Sequence, residues 1–472
     1  MMRAMKVMKF GGSSVKDAEK IRAVAEIIRE HQKSDRVLVV LSAMRGVTDV
    51  LIAAAREAEA GDSRYALKIA DIRNRQDEAV RDLLPGDSGA QVSKLLRGLL
   101  DELEAILHGV ELVRECSPRT LDLVLSFGEL LNNHLFAAYL NGSGTPARML
   151  DTRGLILTDD THGNAEVDFA ESYARIQRAT ASLDTTPVIT GFIAATREGI
   201  TTTLGRNGSD YTASIIGAGV AADVIEIWTD VDGVYSADPR YVPESFVVPE
   251  ISYAEAMELS YFGAKVIHPY TMLPAVDKNI PLIIKNTLNP AAPGTRILQV
   301  ATRKPVAVTG IASVGNVALV NVEGGGMVGI PGIASRVFGA LARARTNIIM
   351  ISQASSEHSI CIVFPEVHVK DATESLNREL APELHARKIQ QFTLKTDLEI
   401  VAVIGENMRG RPGMSGKLFA ALGDASINVL AIAQGSSEMN ISFVVERRDR
   451  DRVLNVVHRA FFPEGDPFKA RE

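Results

Sequence analysis

The stretch KVMKFGGSSV, residues 6–15, places a short apolar-rich strand directly before two glycines and two serines. Apolar residues then recur with a 3.6-residue period over residues 15–29, which predicts a helix that the serines would cap. A continuous run of leucine and β-branched residues follows at 36–41, typical of a strand buried on both faces of a parallel sheet. This strand–helix–strand order predicts an α/β fold whose mostly parallel sheet lies between layers of helices.

The composition narrows the class of protein. At 472 residues the chain is longer than the usual ~100–200 residues of one domain, which predicts two or three domains. The net charge of −7, from 58 acidic and 51 basic residues, predicts no nucleic-acid partner. No apolar run approaches the ~20 residues that span a bilayer, which predicts no membrane partner. Only two cysteines favour a reducing, cytoplasmic location.

Beyond the first strands, the pattern is mostly helical from residue 47 to about 140, with a break at 84–87. Strand-like runs return at 187–193 and 224–228. Turn-forming residues become frequent shortly before residue 300. We therefore predict one α/β domain over residues 1–300.

The remainder of the chain contains an internal repeat. Shifted by 81 residues, the segment that begins at Met327 aligns without a gap on the segment that begins at Met408. Each copy has the order of a small ferredoxin-like α+β unit, which predicts domains at 317–393 and 398–466. The second copy has no closing strand, and we predict that residues 305–313 supply it, nesting the first copy inside the second. The alternative is that the two copies only pack together.

The glycine turn after the first strand has features of a phosphate site. Gly11 and Gly12 let the backbone approach a ligand closely, and the N–H groups of a helix start suit a phosphate. Lys9, at the end of the strand, is placed to stabilise a transferring phosphoryl group. The spacing is not that of a Walker A loop, and a plain tight turn is the alternative interpretation.

Two further segments carry groups suited to a small acid. In TLGRNGSDYT, residues 203–212, Arg206 offers a fork for a carboxylate and Asp210 enters at a helix start. In SFGE, residues 126–129, Glu129 adds a carboxylate. The structural alternatives are a capped helix whose arginine pairs with the aspartate, and a solvated glutamate at a helix start.

Two segments suit a nucleotide. Residues 228–240 combine acidic groups with an aromatic ring and a terminal arginine, and residues 261–269 add Lys265 beside a glycine. Plain turns are the alternative for the first of these. His268 has no Cys or His partners nearby in the sequence, so no metal site is predicted. Because the carboxyl ends of parallel strands define a crevice, these segments together suggest phosphoryl transfer to a small acid.

With these residues in view, the chain resembles the aspartate kinases of the amino-acid kinase family. The motifs KFGGSSV, SFGE, TTLGRNGSDY, WTDVDGVYSADPR and FGAKVIHP carry the resemblance, which covers essentially the whole chain. The segments IMISQASSEHSI and LAIAQGSSEMNI resemble the threonine-sensitive branch. The chain departs from the common motif at Ser13, where the family often has threonine, and at Asn207, where it often has glycine.

The resemblance implies a three-layer amino-acid kinase domain over 1–300, followed by ACT domains at 317–393 and at 305–313 plus 398–466. The implied reaction is the phosphorylation of the side-chain carboxylate of L-aspartate by ATP. It gives 4-phospho-L-aspartate, the first step toward lysine, methionine and threonine, and Mg²⁺ would bridge the phosphates. Feedback inhibition, by threonine or alternatively by lysine, and self-association through the ACT domains are also implied.

The same resemblance assigns roles to residues. Lys9 would stabilise the transferring phosphoryl group, Asp210 would orient Lys9 or the substrate, and Arg206 and Glu129 would hold the α-carboxylate and the ammonium of aspartate. Ser42 and Thr48 match the substrate loop. The nucleotide positions are Lys9, Gly11, Gly12, Ser13, Thr229, Asp230, Tyr235, Arg240 and Lys265, and the effector positions are Met327, Gln353 and Gln434.

Three other functions remain open at this point. A kinase of glutamate or carbamate would share the α/β domain, but the C-terminal repeat and FGAKVIHP argue against it. A non-catalytic amino-acid sensor would need only the repeat. A piece of a longer bifunctional enzyme is the third, although the last residues carry no dehydrogenase glycine motif, which favours a natural terminus.

Overall fold

The computed structural model describes residues 3–263, 268–301, 306–324, 332–353, 359–389 and 391–469. The chain forms two compact units. The first unit comprises residues 1–234, 249–253 and 266–301, and the second comprises 235–248, 254–265 and 302–472. Among the described residues, no helix combines the length and the apolar character that crossing a bilayer requires.

The elements up to residue 301 combine strands with helices and include four helices that follow one another over residues 47–142. They are β1 (Met5–Phe10), α1 (Ala18–Gln32), β2 (Arg36–Leu41), α2 (Val47–Ala60), α3 (Tyr65–Leu83), α4 (Asp87–Val113), α5 (Pro118–Gly142), β3 (Ala147–Leu150), α6 (Phe169–Thr180), β4 (Thr186–Thr190), β5 (Ile193–Ala195), β6 (Thr201–Thr203), α7 (Gly208–Gly219), β7 (Val224–Thr229), β8 (Glu250–Ser252), α8 (Tyr253–Tyr261), α9 (Leu273–Asp277), β9 (Leu282–Asn286) and β10 (Thr295–Leu298).

The first unit is built on an eight-stranded sheet in the order β3-β4-β2-β1-β7-β9-β10-β8. Every neighbouring pair is parallel except β9 with β10. Met8 and Phe10 of β1 share a buried core with side chains of α1 to α5, whereas α7 packs on β1, β2 and β7. Because side chains alternate between the faces of a strand, Lys9 points to the face opposite Met8 and Phe10. The predicted α/β class, with its mostly parallel sheet between helices, is confirmed.

Several local predictions were wrong at their boundaries. The first helix begins at Ala18, not at residue 15, because the Asp17 side chain accepts a hydrogen bond from Lys20 N at 2.9 Å and caps it. The two serines lie instead in a short 3₁₀ turn, Gly12–Val15. The predicted strand at 187–193 is interrupted at Phe192, which has a positive φ of 67°.

The second unit contains one six-stranded antiparallel sheet. Its elements are β11 (Gly310–Glu323), α10 (Ile333–Arg343), β12 (Met350–Gln353), β13 (Ser359–Pro365), α11 (Val369–Glu379), α12 (Ala381–His385), β14 (Gln391–Ile404), α13 (Met414–Asp424), β15 (Ala431–Ala433), β16 (Asn440–Glu446) and α14 (Arg450–Phe461). The strand order is β12-β13-β11-β14-β16-β15. The two copies of the sequence repeat thus form the two halves of a single sheet.

The two central strands, β11 and β14, are shared by both halves. The first part of β11 pairs Gly310 with Ile404 and Gly315 with Glu399, and its second part pairs with β13 as well as with β14. The predicted closing strand of the second copy and the first strand of the first copy are therefore one continuous strand. That strand begins at Gly310, later than the predicted start, and the residue at position 305 lies outside the described part.

We expect Ile400→Ala to lower the free energy of unfolding of the second unit by about 2–5 kcal/mol, because Ile400 is fully buried in β14. Leu394→Ala is the matched control, since Leu394 lies on the same strand but is 37% exposed. Urea unfolding followed by circular dichroism measures both variants. Equal losses in the two variants would contradict the placement of the shared strand in the core.

Candidate active site

The carboxyl ends of the central strands meet at one edge of the first unit's sheet. Gly11 N donates to Trp228 O at 3.3 Å, which joins the end of β1 to the end of β7. On the other side, Ser42 N donates to Phe10 O at 3.3 Å and joins the end of β2 to β1. The loops that follow these strands therefore lie side by side. The sequence predicted this arrangement, because the carboxyl ends of parallel strands define a crevice.

A buried ion pair occupies this edge. The Lys9 Nζ lies 2.5 Å from Asp210 Oδ1, and the two residues are only 8% and 7% exposed. Asp210 is in the first turn of α7, where the helix dipole also favours a negative charge. An ammonium group has three donors, so the pair with Asp210 leaves donors of Lys9 for an anionic ligand.

The glycine turn after β1 docks against the loop after β2. A Cβ on Gly12 would lie 2.7 Å from Ala43 O, so only glycine fits there without a backbone shift. Arg45 N donates to Gly12 O at 3.1 Å and fixes the same contact. At Gly11 the nearest atom to a Cβ would be Lys9 Nζ at 3.6 Å. The close approach of the backbone is therefore required at Gly12.

Ser42, Thr48 and Ser13 lie around this contact. Ser42 follows β2 directly, and its carbonyl accepts a hydrogen bond from Asn132 Nδ2 of α5 at 2.6 Å. Thr48 is half-buried in the first turn of α2, and Ser13 is half-buried in the 3₁₀ turn. Sequence reasoning missed Asn132, which no local motif marks.

Glu129 lies in the middle of α5 and not at a helix start, so the solvated alternative was wrong. The residue is 3% exposed, and its Oε1 accepts a hydrogen bond from Ala43 N at 3.2 Å. Its Oε2 is buried and has no hydrogen-bond partner among the residues that the structure describes. Burial raises the pKa of Glu129 to about 8. A buried carboxylate oxygen without a partner suits a ligand that brings a cation or a donor.

Arg206 lies exposed in the loop between β6 and α7. Within the described ranges, no hydrogen bond or ion pair joins it to another residue, and Asp210 pairs with Lys9 instead. The alternative of an arginine–aspartate pair that merely caps the helix is therefore not what the structure shows. Gly205 and Asn207 flank it with positive φ angles of 73° and 57°, which produce the tight turn before α7.

The predicted nucleotide and effector residues are distributed over both units. Thr229 is the last residue of β7 in the first unit and Asp230 follows it, and Thr229 Oγ1 donates to Asp230 Oδ1 at 3.3 Å. Tyr235 and Arg240 belong to the second unit, where the Arg240 Nε is 3.0 Å from Asp238 Oδ1. The predicted residues at 265 and 327 lie outside the described residues.

Gln353 and Gln434 are both exposed, at the end of β12 and just after β15. Gln434 Oε1 accepts a hydrogen bond from Ser415 Oγ at 3.4 Å. The structure thus brings one group of predicted residues together at the edge of the first unit's sheet. This group is Lys9, Gly11, Gly12, Ser13, Ser42, Glu129 and Asp210.

Comparison with known proteins gives the family. The model of the amino acid kinase family matches residues 4–286, more than half of the chain. The chain belongs to the amino acid kinase family. A model of the ACT domain matches residues 320–380 and 401–461 in addition, so this member of the family carries a C-terminal ACT pair. The bounds predicted for the three domains stay a prediction.

Relatives within the family are aspartokinases. The chain is 41% identical to bifunctional aspartokinase/homoserine dehydrogenase 2, chloroplastic, of Arabidopsis thaliana over 464 residues, which is 97% of this chain and 50% of that protein. It is 34% identical to aspartokinase 1, chloroplastic, of the same organism over 471 residues, 98% of this chain and 80% of that protein. The chain spans about half the length of the bifunctional relatives that it matches.

Solved structures of aspartokinase III from E. coli share the fold. The complex of that enzyme with aspartate and ADP, in the R-state, has a TM-score of 0.80 at 31% identity and covers 97% of this chain and 100% of its own. The complex with lysine and aspartate, in the T-state, has a TM-score of 0.80 at 32% identity and covers 97% and 99%. The three-layer amino acid kinase fold with ACT domains is therefore confirmed.

The raised pKa of Glu129 predicts how the free energy of unfolding of this chain depends on pH. The folded chain holds the Glu129 proton more tightly than the unfolded chain, where the pKa is about 4.5. The stability that this group contributes is therefore complete below pH 4.5 and is lost as the pH rises toward 8.

We expect Glu129→Gln, which is neutral at every pH, to become more stable relative to the unaltered chain as the pH rises. The slope should reach at most about 1.4 kcal/mol per pH unit. Urea unfolding of both proteins at several pH values from 5 to 8 measures it. A difference that does not change with pH would show that Glu129 ionises normally.

Proposed function

We propose that the chain phosphorylates the side-chain carboxylate of L-aspartate, with ATP as the donor, to give 4-phospho-L-aspartate. The observation that carries the proposal is the buried Lys9–Asp210 pair at 2.5 Å, beside a glycine turn and close in the fold to a buried carboxylate oxygen of Glu129 without a partner. Relatives named aspartokinase over nearly the whole chain support the choice of aspartate. The predicted catalytic domain is 1–300.

Lys9 is proposed to stabilise the negative charge of the transferring phosphoryl group. Its ammonium lies at the carboxyl end of β1, and Asp210 fixes its position from the first turn of α7. Because Lys9 is held before the substrate arrives, little reorganisation is needed when charge develops. No general base is required, since the nucleophile is already a carboxylate, and positioning and electrostatics supply the acceleration.

The substrate is proposed to lie between α5 and the loop before α7. The buried Glu129 carboxyl is placed to receive the ammonium group of the substrate aspartate. Arg206, which has no partner among the described residues, would bind the α-carboxylate of the same aspartate. Ser42 and Thr48 line the loop after β2 that Glu129 contacts through Ala43. This arrangement leaves the side-chain carboxylate of the substrate free to point toward Lys9.

The glycine turn lies beside the ammonium of Lys9, since the nearest atom to a Cβ on Gly11 would be Lys9 Nζ at 3.6 Å; a phosphate held by the turn would therefore meet that cation. We propose that Gly11, Gly12, Ser13, Thr229 and Asp230 contact ATP. For Tyr235, Arg240 and Lys265 the proposal rests on sequence similarity. No group of three or more His, Cys, Asp or Glu side chains within the described ranges is able to hold a metal ion. We propose that Mg²⁺ binds with the phosphates of ATP, where it would neutralise their charge.

The test is aspartate-dependent release of ADP by the purified chain with Mg·ATP. We expect Lys9→Ala to lower turnover by at least about 10²–10³-fold, the usual loss when a group that stabilises the transition state is removed. Lys16→Ala is the matched control, because Lys16 follows the same turn but its side chain is 44% exposed. Lys16→Ala should stay within about twofold of the unaltered chain.

The Lys9→Ala variant must also remain folded, since it leaves Asp210 buried without its cation. Circular dichroism and retained binding of threonine in calorimetry serve as checks on folding. Absence of aspartate-dependent ADP release in the unaltered chain would overturn the proposed reaction. Turnover by Lys9→Ala close to that of the unaltered chain would overturn the role of Lys9.

Regulation is proposed to act through the ACT domains, predicted at 317–393 and at 305–313 plus 398–466. Two ACT matches and a lysine-bound E. coli relative support an amino-acid effector. The QASSE and QGSSE segments of this chain favour threonine, with lysine as the alternative. We also propose self-association through the ACT domains, a cytoplasmic location, and a role in the synthesis of lysine, methionine and threonine.

We expect Gln353→Ala and Gln434→Ala to weaken inhibition by threonine by about tenfold, the usual loss for one or two polar contacts, with little change in turnover when threonine is absent. Gln177→Ala is the control, since Gln177 is an exposed glutamine of α6 in the first unit. Titrations of threonine and of lysine against ADP release measure the effect. Inhibition by lysine alone would reassign the effector, and unchanged inhibition in both variants would remove the glutamines from the effector site.

A further inference from the structure

A second buried carboxylate lies on the same helix as Glu129. Asp122 precedes Glu129 by seven residues of α5, two helical turns, so both residues lie on one face of the helix. Asp122 is 1% exposed, and both of its oxygens have partners. Its Oδ1 accepts a hydrogen bond from Thr203 Oγ1 at 2.6 Å. Its burial and its hydrogen bond with Thr203 hold the Asp122 side chain in one position within the first unit.

The other oxygen of Asp122 holds a neighbouring loop. Its Oδ2 accepts a hydrogen bond from Gly163 N at 3.1 Å and lies 2.8 Å from His162 Nδ1. The same loop runs beside β6, because Ala165 N donates to Thr203 O at 3.0 Å. Asp122 thus ties α5 both to the last residue of β6 and to the loop that packs on this strand.

These contacts lead directly to the turn that carries Arg206. Thr203 ends β6 and stands three residues before Arg206. A Cβ on Gly205 would lie 2.4 Å from Asn164 Oδ1, so the loop held by Asp122 also packs against the residue next to Arg206. On the strand side, the path from Asp122 to the arginine therefore runs through the hydrogen bond with Thr203. On the loop side it runs through the contacts of Asp122 with the 162–164 loop and then through the packing of that loop on Gly205.

We propose that Asp122 is a positioning residue that sets the separation between Glu129 and Arg206. It would thereby set the geometry in which the amino and carboxylate groups on the α-carbon of the substrate are held. Glu129 is fixed on α5, and Arg206 is tied to the same helix through Thr203 and the 162–164 loop. The inference rests on the proposed function, since it assigns these two residues to one amino-acid substrate.

Loss of the Asp122 contacts is expected to affect binding of the amino acid and not binding of the nucleotide. The two groups on one α-carbon have a fixed separation, so a shift of Arg206 relative to Glu129 weakens both contacts together. The nucleotide is proposed to lie against the glycine turn and the end of β7, which Asp122 does not contact in the described residues. Loss of the Asp122 contacts should therefore raise the KM for aspartate and leave the KM for ATP nearly unchanged.

The test uses both ends of the bond between Asp122 and Thr203. Thr203→Val removes the hydroxyl and keeps the shape, Thr203→Ser restores the hydroxyl, and Asp122→Asn removes the charge. We expect Thr203→Val and Asp122→Asn to raise the KM for aspartate about tenfold or more, with the KM for ATP within about twofold. Thr203→Ser should return the KM for aspartate to within about threefold of the unaltered chain. These ratios follow from the loss or retention of one buried hydrogen bond.

Thr180→Val is the matched control. Thr180 is a buried threonine of the same unit whose hydroxyl donates to Ile176 O at 2.8 Å within α6, so its variant loses a comparable bond away from the site. It should lower the melting temperature without changing either KM. This control separates a general loss of stability from an effect on substrate geometry.

Two results would overturn the inference alone: an unchanged KM for aspartate in folded Thr203→Val, or equal rises in both KM values. Should Asp122→Asn fail to fold, Thr203→Val and Thr203→Ser decide the question. Absence of aspartate-dependent turnover in the unaltered chain is a different outcome. It would overturn the proposed function and this inference with it.

Discussion

The parallel alignment of β2, β1 and β7 is the constraint on which the site depends. It brings the end of each strand to the same edge of the sheet, so that backbone hydrogen bonds join Gly11 to Trp228 and Ser42 to Phe10. The buried pair of Lys9 and Asp210 exists only because that alignment presents the end of β1 to the first turn of α7. Burying an ion pair costs solvation energy, so a buried pair adds little to stability. A functional role for the two charges explains why the pair is present at this edge of the sheet.

Much of this arrangement could be predicted from local sequence signals. The strand at 36–41 was predicted at its observed bounds, since an unbroken run of leucine and β-branched residues is typical of a strand covered on both faces. The glycine turn and the charged residues next to it were predicted from residue type and position at strand ends. Asp210 was placed correctly at a helix start, since it lies in the first turn of α7, which begins at Gly208.

The remainder depended on contacts between distant residues, which no local pattern reports. Nothing near Glu129 in the sequence indicates burial in mid-helix, because Ala43, which donates to its carboxylate, is 86 residues away. The sequence around Asp122 likewise gives no sign of its role, because its hydrogen bonds are with Thr203 and Gly163, which are distant in the chain. The repeat did predict a nested pair, but not that β11 runs unbroken through both halves, since that follows from strand pairing.

The state of Glu129 adds a chemical consequence. With its pKa near 8, the carboxyl of the free protein carries a hydrogen at neutral pH. A positively charged amino group that takes its place beside Oε2 must first expel that hydrogen to the solvent. Under the proposed function, amino-acid capture would then be linked to acid release, and the affinity would strengthen as the solution becomes more alkaline. A single buried side chain would thus make uptake of the acceptor sensitive to the acidity of its surroundings.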